Sequence, residues 1–90
     1  MLDLVTTAKF RKDLKRIRKR GLNISKLEYV IDTLRDQTPL EAKYCDHALT
    51  GDCEGFRECH VEPDWLLVYA IDADQLILTA SRTGSHSDLF

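Results

Sequence analysis

The sequence lacks several features, and each absence removes a class of protein. No apolar run approaches the roughly 20 residues that a membrane-spanning helix needs. The opening MLDLVTTAKF has neither an apolar h-region nor a small-residue cleavage site, so the expectation is a cytoplasmic protein with no membrane role. Cysteine is scarce and odd in number: Cys45, Cys53 and Cys59 contain no CxxC pair, which suits a reducing compartment better than a disulfide framework. A zinc site could be drawn from them with His47 and His60, but the spacings are irregular against those of structural zinc sites, and small buried hydrophobes are the better reading. No internal repeat, linker or low-complexity segment interrupts the chain. Residues 1–90 are therefore expected to form one domain.

What is present describes an ordinary globular protein, with 43% hydrophobic and 31% charged residues. A chain of 90 residues can bury one modest core, removing roughly 60–65% of its unfolded surface from water. The net charge of −2 conceals a division. Met1 to Lys43 carries 11 Lys and Arg against 6 Asp and Glu, whereas Tyr44 to Phe90 carries 2 against 9. The excess is densest in Lys9, Arg11, Lys12, Lys15, Arg16, Arg18, Lys19 and Arg20, where Asp13 is the one acid. Such a run repels itself and would be relieved by a polyanion, although a solvated helix face is the plain alternative.

Two helices and a set of strands can be read in order. Asp3 to Thr6 alternates as a short strand, and Thr6 or Thr7 can cap the basic helix that follows. Phe10, Leu14 and Ile17 form its narrow apolar stripe, and Gly21 ends it. A second helix is expected from Ser25, which has capping-box spacing to Glu28, with Leu27, Val30, Ile31 and Leu34 facing inward and Thr38-Pro39 as the stop. Leu40 to Gly55 shows no periodicity. Phe56 to Glu62, Trp65 to Ile71 and Gln75 to Arg82 read as an antiparallel meander, with a type I turn at Pro63-Asp64. Ser85 and Asp88 have the spacing of a final capped helical turn. The predicted fold is α+β: a helical hairpin packed on a small antiparallel sheet, with a short C-terminal helical turn.

The chemistry gathers at strand ends. His47, His60, Asp64 and His86 either trade protons near neutral pH or hold a group that does, and Arg82 closes the last strand. Cleaving RNA without a metal requires a base for the 2′-hydroxyl, an acid for the leaving 5′-oxygen and a cation for the phosphate. Histidine suits the first two roles, and arginine's forked donors suit the third. Trp65 and Phe90 could stack on bases. Each residue also has a structural reading: Trp65 as core, Asp64 as a turn residue, Arg82 as partner of a carboxylate across the sheet.

The segments DHALTG at Asp46–Gly51, GFR at Gly55–Arg57, HVEPDWLLVY at His60–Tyr69 and RTGSHSDLF at Arg82–Phe90, in that order, closely resemble the YafQ branch of the RelE-like toxins of bacterial toxin–antitoxin modules. The resemblance spans essentially the whole chain. It implies a microbial RNase-like fold and a ribosome-dependent endoribonuclease that cuts mRNA in the decoding site with no metal or other cofactor. It also implies a cognate DinJ- or RelB-like antitoxin that covers the active face and carries the operator-binding part. Carried over, His47, His60, Asp64 and His86 are the proton-transfer group, Arg82 the phosphate cation, and Trp65 and Phe90 substrate contacts. Lys9, Arg11, Lys12, Lys15, Arg16 and Lys19 would then grip ribosomal RNA. Two other functions remain open at this point, a ParE-like toxin that poisons gyrase without using these residues and a degenerate toxin that only binds its antitoxin. Relatives are usually basic overall, whereas this chain is slightly acidic.

Overall fold

The computed structural model describes residues 1–90. Strand β1 (Asp3–Thr6) leads into helix α1 (Ala8–Lys19), and helix α2 (Ile24–Arg35) follows after a short turn. Strands β2 (His47–Ala48), β3 (Arg57–Glu62), β4 (Trp65–Asp72) and β5 (Ile77–Gly84) come next, and helix α3 (His86–Leu89) ends the chain. The sheet order is β1-β5-β4-β3-β2, antiparallel except for β1, which lies parallel to β5. The meander and both helices lie where the sequence places them. The Asp3–Thr6 strand is also where the sequence places it; its parallel pairing is new, with the α1–α2 hairpin as the crossover such a pairing requires, and so is β2, which falls in the stretch without periodicity.

Local sequence explains each boundary. Thr7 caps α1 by accepting from the Phe10 amide, and Gly21 leaves the helix with φ +82°, a conformation glycine adopts without strain. Helix α2 differs from expectation at its start. Its N-cap is Asn23, whose side chain accepts from both the amide and the hydroxyl of Ser25. Asn23 outcompetes Ser25 because its carbonyl sits one residue outside the first helical turn, where the unsatisfied amides point. The third strand begins later than predicted, since residues 73–76 form the turn and Leu76 takes a left-handed φ of +58°.

One side of the sheet carries the core. Trp65, Leu67 and Tyr69 of β4, Cys59 and Val61 of β3, and Leu78 and Ala80 of β5 pack with Phe10, Ile17, Leu27, Val30 and Leu34 of the helices. Alternate residues face the other side, so β4 reads as a continuous apolar run: Leu66 and Val68 are buried there as well. That second face carries the polar residues of interest.

Candidate active site

Register brings the histidines together. His47 of β2 pairs directly with Glu58 of β3, and Glu58 pairs with Val68 of β4. Direct cross-strand partners share a face, as do residues two apart in one strand, so His47, Glu58 and His60 stand together on the face away from the helices. Immediately after His60 the β3–β4 register shifts, leaving Val61 without a partner and matching Glu62 with Trp65. The shift turns Glu62 toward α2, where it meets Lys26 at 3.7 Å.

All three histidines are held through Nδ1. His47 Nδ1 donates to the Cys45 carbonyl at 2.8 Å and His60 Nδ1 to the Pro63 carbonyl at 3.1 Å. His86 Nδ1 lies 2.7 Å from Asp64 Oδ1, which also accepts the His86 amide at 3.1 Å. Carbonyl and ionised carboxylate oxygens only accept, so Nδ1 bears the proton in each ring and Nε2 is left to exchange one. The His60 and His86 rings lie with centroids 5.8 Å apart.

Behind the rings stand two carboxylates of different character. Glu58, 7% exposed, places Oε1 at 3.6 Å from His47 Nε2 and 4.0 Å from His60 Nε2. Asp64 is open to solvent, and its carboxyl is held below the usual range first by the hydrogen bond from the His86 ring and then by the His86 amide. Glu58 was missed in sequence because it reads as one polar residue of an alternating strand; only its pairing with His47 places it beside the imidazoles. Glu58, His60 and His86 offer ligand atoms within 4.8 Å of one another, a set of two imidazoles and a carboxylate suited to a transition-metal ion. The cysteines do not join it, and burial pushes the Cys59 thiol up to about 12.

The aromatic and cationic candidates divide. Phe90, four residues after His86 and hydrogen-bonded through its amide to the His86 carbonyl, is 68% exposed and free to stack. Trp65 is not: it is 2% exposed, packs in the core, and donates from Nε1 to Thr83 Oγ1 at 2.9 Å, which corrects its assignment as a substrate contact. Arg82 is bound by Asp13, which accepts from its Nε at 2.6 Å and its Nη2 at 3.1 Å, raising the guanidinium pKa. Its partner comes from α1, not from across the sheet; Nη1 takes no part in the pair.

Helix α3 is tied down twice. Ser85 and Asp88 form the capping box the sequence predicts. Arg20 then donates both Nη groups to Asp88, at 2.5 and 2.8 Å, and this guanidinium holds the Asp88 carboxyl well below its ordinary range. Gly84 is obligatory here, because a Cβ on it would lie 2.8 Å from Asp88 Oδ2. Arg16 also approaches Asp88, and Asp13, at 3.5 Å each, so it is less free for RNA than its neighbours. Arg11 is bonded to the Thr6 carbonyl and hydroxyl, while Lys9, Lys12, Lys15 and Lys19 are exposed without a carboxylate partner.

A small α+β scaffold that gathers imidazoles from a sheet face and from the C-terminal helical turn, beside carboxylates, has the class of architecture seen in compact toxin domains. Residues 2–90 match the family described as bacterial toxin of type II toxin-antitoxin system, YafQ, and the chain belongs to that family. It is 43% identical to the mRNA interferase toxin YafQ of Escherichia coli K12 over 98% of this chain and 95% of that toxin. It superposes on a metal-bound toxin from Helicobacter pylori with TM-score 0.94 and 47% identity, covering all of both chains. The E. coli DinJ–YafQ complex matches with TM-score 0.90 and 38% identity, over 100% of this chain and 99% of that one. No helix is long and apolar enough to cross a membrane.

Proposed function

We propose that this toxin is an endoribonuclease acting on mRNA engaged by the ribosome, in the cytoplasm, and that it cuts by acid–base catalysis without a metal. The observation that carries the reading is the 5.8 Å separation of the His60 and His86 rings, with Glu58 and Asp64 beside them. Two imidazoles at that distance straddle a phosphodiester. One Nε2 takes the 2′-hydroxyl proton as that oxygen attacks phosphorus; the other protonates the departing 5′-oxygen, leaving a cyclic phosphate. His47 shares Glu58 with His60 and supports that arm. Arg82, through its uncommitted Nη1, steadies charge on the phosphate, and Phe90 stacks on a base.

The exposed Lys9, Lys12, Lys15 and Lys19 supply sequence-independent contacts to ribosomal RNA phosphates. A cognate antitoxin resembling DinJ covers this face and silences it, as the relation to a DinJ-binding toxin supports. Primer extension on mRNA from cells expressing wild-type protein, His60→Ala or His86→Gln tests the reading. Codon-phased cuts within translated frames, lost in both variants, are expected; growth arrest that persists in both variants without cuts would overturn it and direct attention to gyrase.

A further inference from the structure

A concavity of about 840 Å³ is lined in part by His60. It is lined by Lys26 and Tyr29 of α2, Lys43 and Tyr44 of the loop after it, and His60 and Glu62 of β3. Its size falls within the roughly 300–1,000 Å³ typical of small-ligand sites. The proton-transfer chemistry uses one edge of it, His60, and leaves the rest unexplained.

Three features say what the groove is built to hold. Tyr29, 55% exposed, and Tyr44, partly buried, face it as a tilted aromatic pair with centroids 6.4 Å apart. Lys43 holds its ammonium 5.2 Å from the centre of the Tyr44 ring and has no carboxylate within 4.0 Å. It is therefore a free cation beside a site in which Arg57 is paired with Asp46 and Arg82, paired with Asp13, has a single Nη group to spare. Lys26 meets only Glu62, at 3.7 Å on an exposed surface, a contact weak enough to be exchanged for a phosphate. Aromatic faces flanked by lysines are the means by which proteins hold single-stranded nucleotides without reading their sequence. With Trp65 buried, Phe90 alone of the predicted stacking residues remains to hold a base, and a strand crossing His60 needs a second platform for its next nucleotide.

We propose that the Tyr29–Tyr44 groove is a nucleotide subsite: the base neighbouring the scissile phosphate stacks on Tyr44 and Tyr29, and Lys43, with Lys26, takes the adjoining phosphate. The subsite rests on the ribonuclease reading for its purpose, but its occupancy can be measured without cleavage. The probe is a short 2′-O-methyl RNA carrying 2-aminopurine, whose fluorescence is quenched on stacking and which cannot be cut.

Wild-type protein and the Tyr29→Phe/Tyr44→Phe variant should quench it equally. Tyr29→Ala/Tyr44→Ala should bind it at least ten-fold more weakly. Lys43→Gln should weaken binding and make it less salt-dependent by about one phosphate contact. Circular dichroism and the thermal melting midpoint serve as the check that each variant is folded. Unchanged quenching in the double alanine variant overturns the subsite, as does an absence of quenching by wild-type protein that does cut mRNA. Loss of antitoxin affinity with RNA binding intact also overturns it, and assigns the groove to the antitoxin. Normal quenching by a protein that fails to cut translated mRNA would sustain the subsite while rejecting the ribonuclease.

Discussion

Arg82 donates two hydrogen bonds to Asp13, at 2.6 and 3.1 Å, across 69 residues of sequence. Asp13 accepts a third from the Thr83 amide at 3.2 Å and is itself 1% exposed. The single acid of the basic run is thus the anchor between α1 and the strand that delivers His86. Removing one partner of such a pair strands the other: Asp13→Ala should cost about 2–4 kcal/mol, at the low side for a pair whose arginine is 27% exposed. Urea unfolding of the two proteins measures it, and a loss below 1 kcal/mol would show that the pair is not structural.

Glu58 is predicted to orient the His60 and His47 rings between which it stands. Glu58→Gln keeps shape and removes charge, so the fold and antitoxin binding should persist while single-turnover cleavage falls about 10²–10⁴-fold, the usual contribution of a positioned proton-transfer group. Cleavage within about two-fold of wild type would show that Glu58 does not serve the imidazoles beside it.

The Arg20–Asp88 clasp predicts a pH dependence of stability. Asp88 has a folded-state pKa depressed below its unfolded value, so its contribution is fully present above the ordinary carboxylate pKa and fades as pH falls through and below that range. Wild type should therefore melt higher than Asp88→Asn at pH 7, and the gap should close progressively below about pH 4. A gap independent of pH would assign the effect to the capping box alone.

Copper or zinc should inhibit. An ion held by Glu58, His60 and His86 occupies the groups assigned to proton transfer, so cleavage should fall as metal is added and return with chelator. Stimulation by metal would refute the metal-free mechanism.

Charge on α1 should govern ribosome association. Lys12→Gln/Lys15→Gln/Lys19→Gln leaves every described ion pair intact, and the slope of log affinity against log salt should become shallower by up to about two to three. Cosedimentation with ribosomes across a salt series would show it; an identical slope would place the ribosome contacts elsewhere.

Much of this molecule is local and was readable as such. The 3.6-residue spacing of Phe10, Leu14 and Ile17, the Thr7 cap, the apolar run after Pro63 and the Ser85–Asp88 capping box are interactions within a few residues, so the side chains present dictate them. His47, His60, Asp64 and His86 were legible by residue type, since few other side chains suit the chemistry. The pairing of Glu62 was not, because the register shift at Val61, which depends on how β3 and β4 dock, sets Glu62 opposite Trp65. The sequence offered both core and substrate contact for Trp65, and only the pairing of β4 with β5, which brings the Thr83 hydroxyl to its indole N–H, decides for the core.

The sequence by itself determined the elements, their order, the charge division and the set of proton-carrying residues, because these follow from backbone preference and side-chain chemistry over short spans. The tertiary structure alone decided who meets whom: Asp13 with Arg82, Arg20 with Asp88, Glu58 between two histidines, and two tyrosines beside His60. Those partnerships join residues far apart in the chain, and strand register and helix docking select them by burying the most apolar surface while leaving no buried side-chain polar atom unsatisfied.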